Sequence, residues 1–84
     1  PGLASAEEIG RLSALRGDDA ETLFLQLMIR HHRAGLEMAQ ATYNDPRSGP
    51  ATKQLALSMI GDQGNEIGQM TLLLQERGAD PLPT

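Results

Sequence analysis

The chain has 84 residues, no cysteine, one Tyr, one Phe, no Trp and a formal net charge of -4 at pH 7. This length allows one small domain, of a size that often depends on a metal ion or a partner subunit for stability. The lack of cysteine excludes disulfides and thiol chemistry, the acidic balance and the scarcity of aromatic residues argue against nucleic-acid binding, and no apolar run is long enough to span a membrane.

The first predicted element is a short helix near the N-terminus. Ser5 and Glu8 stand three residues apart in the form of a capping box, in which each side chain accepts a hydrogen bond from the other residue's backbone N–H. Apolar residues follow at helical spacing as far as Leu15. Gly17 is then a natural end for this helix.

Two long helices follow. The second helix is predicted from Asp18, where acidic residues favour a helix N-terminus, to Thr42 or Tyr43. Residues 44–50 are rich in Asn, Asp, Gly and Pro, which is typical of a connector. The third helix then runs to Arg77, before a glycine. A short connector between two long helices predicts an antiparallel hairpin, and no segment has the period of a strand.

The second helix carries two histidines next to its apolar side. Drawn as a wheel, it separates a polar side from a side that we expect to face the core, and His31 lies in the middle of that core side with His32 near its edge. The predicted core side consists of Phe24, Leu27, Met28, His31, Ala34, Gly35 and Met38. The third helix has a corresponding stripe of Leu55, Met59, Gln63, Glu66, Met70, Leu73 and Leu74.

A carboxylate in an apolar stripe needs a partner, because burying an unpaired charge costs several kcal/mol. His31 is the partner we expect for Glu66. In a hairpin centred on the 44–50 connector, His31, Gln63 and Glu66 fall in one layer. Gly64 and Gly68, four residues apart, permit either a close approach of two helices or a thin outer surface.

Two interpretations of this layer remain open. In the first, His and Met side chains at spacings of three and four residues converge on a metal ion, and thioether with imidazole suits copper, above all Cu(I). In the second, each methionine fills the core and His31 forms a hydrogen-bonded pair with Glu66 without any ion. The coincidence of both histidines, the core-facing acid and all four methionines on two facing stripes supports the first interpretation.

Most enzyme classes lack their motifs here. Neither histidine has a Glu three residues before it, as di-iron bundle sites require. There is no His-Glu-x-x-His zinc motif, no EF-hand loop, no phosphate-binding glycine loop and no nucleophile elbow. These absences argue against a hydrolase and favour a binding protein, with an oxidoreductase that uses a bound metal as a third alternative.

Two motifs resemble the signatures of the DUF305 family. Residues 24–32 together with 36–39 resemble the first, and the second, Ile-x-x-Gln-x-x-Glu-Ile-x-x-Met, matches Ile60, Gln63, Glu66, Ile67 and Met70. The resemblance implies a ferritin-like helical bundle, export from the cell as a secreted, periplasmic or lipid-anchored protein, and copper binding as in some members. The residues it carries over as metal ligands are Met28, His31, His32, Met38, Gln63, Glu66 and Met70.

The chain departs from the family pattern in two respects. Gly35 stands where the family usually has Ala, and the chain holds one pair of motifs where some relatives have two. A site built from two pairs would need a second copy of this chain.

The predicted fold is all-α: a short N-terminal helix and a long antiparallel hairpin in one domain over residues 1–84, with its motif-bearing core at 20–77. The broad apolar sides of both long helices predict a homodimer that completes a four-helix bundle. The predicted function is metal binding, copper preferred, for storage, buffering or transfer. The alternative is a metal-free structural or interaction module held by a buried His–Glu pair.

Overall fold

The computed structural model describes residues 4–14 and 17–83, except for the side chain of Ser13. Within these ranges the chain forms three helices and no strand: α1 (Ala6–Ala14), α2 (Gly17–Asn44) and α3 (Pro50–Glu76). The predicted all-α fold, with a short first helix and a long antiparallel hairpin, is confirmed. The expected helical position of Leu15 lies outside the described residues. No helix in the described part of the chain combines the length and apolar character that crossing a bilayer requires.

The ends of the helices follow the local sequence. The capping box at α1 is formed: the N–H of Ser5 donates to Glu8 Oε1 at 2.9 Å, and the N–H of Glu8 donates to Ser5 Oγ at 3.1 Å. At the end of α3, Gly78 adopts a φ of 67°, and the N–H of Ala79 turns back to the carbonyl of Leu74 at 3.0 Å. The left-handed conformation of Gly78 turns the backbone so that this N–H donates to a carbonyl that the end of a helix would otherwise leave without a hydrogen bond.

Helices α2 and α3 pack along one pair of facing stripes, which we name the closed seam. It consists of Leu25, Ile29, His32, Leu36 and Ala39 from α2, and Ala56, Ile60, Gln63, Ile67, Met70 and Leu74 from α3. All of these residues are buried or half-buried, and Ile29 and Leu74 are fully buried. Their alternating spacings of three and four residues are those of helices that pack side by side over a long distance.

The closed seam differs from the predicted core stripes, which were wrong for several residues. Phe24 and Met38, expected in the core, are 50% and 72% exposed, and His31 is exposed as well. On α3 the same correction applies to four residues that were expected to face the core: Leu55, Met59, Glu66 and Leu73. The apolar arc of each helix is wide enough for two adjacent stripes, and the helices pack along the neighbouring stripe, which puts Leu25 and Ile29 against Leu74.

The register of the hairpin is also different from the one expected. Three cross-helix pairs lie at equal distances from Gly49: His32 with Glu66, Gly35 with Gln63, and Glu21 with Arg77. The prediction centred the hairpin on the connector and paired His31 with Gln63, which is one helical turn away from the observed pairing. The buried cluster of Leu25, Ile29 and Leu74, at the far end of the helices from the connector, packs in this register.

Helix α1 packs against α2 on the side away from α3. There the guanidinium of Arg30 donates to Glu8 Oε2 at 2.8 Å, and both side chains are 23% exposed. The hydrogen bond from Arg30 lowers the pKa of Glu8 from 4.5 to about 2, with help from the backbone N–H of Ser5. The helix wheel alone would put Arg30 on the polar, solvated side of α2. The structure instead uses it to hold α1, whose capping residue Glu8 thus has two roles.

Candidate functional site

In the middle of the closed seam, the imidazole of His32 pairs with a carboxylate at the edge of the seam. His32 Nε2 contacts Glu66 Oε2 across the two helices, and His32 Nδ1 lies 2.8 Å from the carbonyl oxygen of Met28, one turn earlier on α2. The His32 side chain is 13% exposed and that of Glu66 is 55% exposed. A His–Glu pair was predicted, but with His31. The structure forms it with His32 and leaves the carboxylate at the mouth of the seam rather than buried.

Both ring nitrogens of His32 face oxygen atoms. A carbonyl oxygen and a carboxylate are hydrogen-bond acceptors, so the ring satisfies both contacts when each nitrogen carries a proton. The contact with Met28 fixes the plane of the ring and aims Nε2 at α3. A ring nitrogen that is held in this way is the arrangement found behind metal-binding histidines, whose other nitrogen is directed at the ion.

Gln63 leaves one buried polar atom without a partner. Its amide nitrogen lies against Gly35, where an added Cβ would come within 2.7 Å of Nε2. Its Oε1 is buried and, within the described part of the chain, accepts no hydrogen bond. Such an atom costs about 1–3 kcal/mol unless a water molecule, a proton donor or a cation meets it. Gln63 stands one turn before Glu66 on the same side of α3, so this open acceptor belongs to the His32 site.

The four methionines divide between this site and the outer surface. In the observed register Met28 is level with Met70; both are half-buried, and Met70 packs beside the Leu25, Ile29 and Leu74 core. Met38 lies nearer the connector, where it lines a hollow of about 110 Å³ together with Met59. The structure therefore brings two thioethers near the His32–Glu66 pair and keeps the predicted ligand Met38 away from it.

His31 stands apart from the seam. Its ring centroid is 5.9 Å from that of His32, with an angle of 70° between the rings. No hydrogen bond involves the His31 ring among the described residues, and the residue is exposed. Within the described chain, no three His, Asp or Glu side chains gather closely enough to hold a metal ion. The described part of one chain thus presents only part of the set of ligands that a metal ion needs.

The side of the hairpin next to the closed seam forms an exposed apolar surface, which we name the open face. It comprises Phe24, His31 and Met38 from α2, and Leu55, Met59, Glu66 and Leu73 from α3. Two shallow hollows lie on this face and are lined by residues of both helices. Phe24 and Leu73 line one of them, and Met38, Leu55 and Met59 line the other. His31 and Glu66 lie between the two apolar patches. Sequence reasoning selected these residues for the core but missed that they face outward.

Two cross-helix contacts were not predicted. Arg77 donates to Glu21 at the end of the hairpin far from the connector, and the Gln26 amide donates to the carbonyl of Asp80 at 2.9 Å. Both contacts hold the end of α3 to the start of α2. The opposite charges of Glu21 and Arg77 were visible in the sequence, but only the correct register brings them level.

Comparison with known proteins places the chain among its relatives. It is similar to a crystal structure described as that of the "putative secreted protein DUF305" from Streptomyces coelicolor, with 39% sequence identity and a TM-score of 0.87. That match covers 100% of this chain and 51% of the other, so the present chain spans about half the length of that relative. No curated protein matches the chain. The family described as "Domain of unknown function (DUF305)" matches residues 1–74, which is most of the sequence. The chain therefore belongs to the DUF305 family.

Proposed function

We propose that the protein binds a metal ion, copper preferred, at the middle of the closed seam and holds it for storage, buffering or transfer. The observation that carries the proposal is the open acceptor of Gln63, buried one turn from the His32–Glu66 pair. A buried oxygen without a partner beside an imidazole and a carboxylate is an arrangement that a cation satisfies.

The available donors fit copper in chemical type. His32 offers an imidazole nitrogen, Glu66 a carboxylate, and Met28 and Met70 offer thioethers from one turn away on either helix. Imidazole with thioether favours copper over the hard cations Mg²⁺ and Ca²⁺, which take oxygen ligands. Glu66, at the mouth of the seam, is the group that an ion entering from solvent meets first.

Each residue has a separate task in this scheme. The Met28 carbonyl holds His32 Nδ1 and so keeps the ring aimed at α3. Glu66 holds Nε2 in the ion-free protein and must share or release it when an ion binds. Bound copper would supply a cation that satisfies the carboxylate, the imidazole nitrogen and the Gln63 oxygen together.

Titration of the purified protein with Cu(I), Cu(II) and Zn(II) against a competing chelator tests the proposal. We expect the wild type to bind copper with a Kd below about 10 µM, and His32→Ala to weaken binding by about 10-fold to 100-fold. Glu66→Gln, which removes the carboxylate at the mouth of the seam, should also weaken binding. Its matched control is Glu76→Gln, which removes an exposed carboxylate at the end of α3 and should leave binding unchanged. No binding by the wild type, or equal binding by His32→Ala, would contradict the proposal.

A second function is favoured by a different observation. Both ring nitrogens of His32 already have oxygen partners within the chain. The pair can therefore act as a structural connection between α2 and α3 in a metal-free interaction module. In that case His32→Ala lowers the stability of the ion-free protein, while the wild type binds none of the three ions in the same titration.

We also propose that the protein is exported from the cell and that it pairs with a second copy. Export is supported by the name of the Streptomyces relative, which points to secretion. Fractionation of cells that express the full-length gene product, followed by immunodetection, tests this part, and retention in the cytoplasm would contradict it. Pairing is supported by the exposed apolar side chains of the open face, of which Met38 at 72% and Leu55 at 63% are the most exposed.

A further inference from the structure

The open face gathers most of the large exposed apolar side chains of the hairpin, and the two sides of α2 differ sharply in chemistry. The open face carries five large apolar side chains that are 41% exposed or more: Phe24, Met38, Leu55, Met59 and Leu73. The opposite side of α2 is polar, with Thr22, Gln26, Arg33, Glu37 and Gln40. A small protein does not gain stability from gathering its largest apolar side chains on one exposed side, so such a patch marks an interaction surface.

The open face is large enough for a stable pair of hairpins. Helices of 28 and 27 residues lie side by side in the hairpin. At a rise of about 1.5 Å per residue and a width of about 10 Å per helix, they present up to about 800 Å², which is about what each partner contributes to an ordinary stable interface. Two such faces placed together would form a four-helix bundle with an apolar interior.

The polar middle of the open face identifies the partner. His31 is exposed, and the Glu66 side chain is 55% exposed, between the two apolar patches. A purely apolar partner would bury the His31 ring without a hydrogen bond and would remove water from the Glu66 oxygen that His32 does not contact, at a cost of several kcal/mol. A second copy of the chain is self-complementary here, because it offers a carboxylate to each imidazole and an imidazole to each carboxylate.

We propose that a second copy docks on the open face and that the pair completes the metal site with His31. A two-fold pair brings the same patch of both copies together, so the middle of one face meets the middle of the other. Two His31 rings and two Glu66 carboxylates then surround one region, which gives the three or more donors that one described chain lacks. This inference rests on the proposed copper binding for the metal and on the open face for the pairing.

Sedimentation velocity in the presence of a chelator tests the pairing without any metal. We expect a concentration-dependent dimer for the wild type. Leu55→Glu, on the open face, should weaken the dimer by about 100-fold or more, because each pair loses two buried leucines and gains two buried carboxylates. The matched control is Leu72→Glu, on the glycine-rich outer side of α3. Its exposure of 62% is almost that of Leu55 at 63%, and it should leave the dimer unchanged.

The outcomes of this experiment separate the alternatives. A monomer in every form, at concentrations up to about 100 µM, overturns the pairing. Equal loss of the dimer in Leu55→Glu and Leu72→Glu overturns the assignment of the face. Circular dichroism on each variant confirms that it remains helical, and because both substituted leucines are more than half exposed, neither substitution disturbs the closed seam.

The metal part of the inference has its own measurement. If both copies contribute ligands, binding of copper must tighten the dimer, because linkage between the two equilibria is reciprocal. We expect saturating Cu(I) to lower the Kd of the dimer by about 10-fold in the wild type and to leave that of His31→Ala unchanged. Copper that binds without changing the dimer overturns the shared site, whereas no copper binding with an intact dimer contradicts the proposed function alone.

Discussion

The closed seam and the open face are adjacent sides of the same two helices, with similar sequences and opposite surroundings. The residues of the closed seam follow one another at spacings of three and four, those of the open face at spacings of four and seven, and each side has polar residues in its middle. The closed seam encloses Ile29 and Leu74 completely, while the open face leaves Leu55 63% exposed. The comparison teaches that one helical pattern serves two interfaces, one within the chain and one that we assign to a second copy.

The largest expected difference between the two sides is in stability. Leu74→Ala removes a fully buried side chain and should lower the free energy of unfolding by about 2–5 kcal/mol. Leu73→Ala, the adjacent residue on the open face, should cost less, and its cost should grow with protein concentration because it acts through the pair. Urea denaturation at two concentrations measures both. Equal and concentration-independent losses would contradict the distinction.

The two adjacent histidines allow a second comparison. His32→Ala removes the hydrogen bonds to Glu66 and to the Met28 carbonyl, so in the ion-free protein we expect a loss of about 1–2 kcal/mol. His31→Ala, at an exposed position, should change stability by less than about 0.5 kcal/mol. Thermal denaturation in the presence of a chelator measures both variants. A larger loss for His31→Ala would show that the observed pairing is wrong.

Glycine substitutions sharpen the comparison between the closed seam and the outer surface of α3. An added Cβ at Gly35 would approach Gln63 Nε2 within 2.7 Å, and that flexible amide can move away. Gly35→Ala should therefore raise stability by at most about 1 kcal/mol through helix propensity while it weakens copper binding by displacing Gln63. Gly64→Ala has nothing within 4 Å of its new Cβ, so it should raise stability to a similar extent and leave copper binding unchanged.

A decrease in the copper affinity of Gly64→Ala as large as that of Gly35→Ala would contradict the assignment of Gln63 to the site. The same two variants also test the expected close approach of helices at Gly64 and Gly68. The structure shows no such approach within the hairpin, because no described atom lies within 4 Å of a Cβ at either position.

The smallest effect concerns α1, which takes no part in either interface. The pKa of Glu8 is lowered from 4.5 to about 2 by the hydrogen bond from Arg30. The stabilisation from this pair is therefore present above pH 4.5 and is lost as the pH falls toward 2. We expect a carbon-13 NMR titration of the Glu8 carboxyl to have its midpoint near pH 2. Arg30→Gln should return that midpoint toward 4.5, and an unchanged midpoint in this variant would contradict the assigned partner.

The elements of the fold could be predicted because they depend on local sequence. The capping box of Ser5 and Glu8, the connector at residues 44–50 and the glycine after α3 each act within a few residues. Their physical causes, which are unsatisfied backbone groups and restricted backbone angles, can be read directly from the chain. The helix limits accordingly agree with the prediction to within one or two residues.

The choice between His31 and His32 could not be predicted in the same way. The two residues are about 100° apart on the helix, and each lies on an apolar stripe. Which stripe becomes the closed seam depends on how Leu25, Ile29 and Leu74 fit together, and that is a property of both helices at once. The identity of the acid was predicted, since Glu66 is an acid in the middle of an apolar stripe and needs a partner.

The open face was also present in the sequence, although it was interpreted as core. The stripe that contains Phe24, His31 and Met38 was expected to pack against α3. The apolar character of that stripe is real, but a hairpin can bury only one of its two stripes within a single chain. The remaining stripe needs a partner surface from outside the chain. The residue pattern alone does not show which stripe packs within the chain and which one packs against a partner.

The most direct test of this account uses a single tryptophan, since the chain has none. Phe24→Trp reports on the open face, and Leu72→Trp, on the outer side of α3, is the matched control. We predict that the emission of Phe24→Trp shifts to shorter wavelength as protein concentration rises, with the midpoint found by sedimentation, while that of Leu72→Trp stays constant. Emission from Phe24→Trp that does not change with concentration would contradict the central claim that a second copy covers the open face.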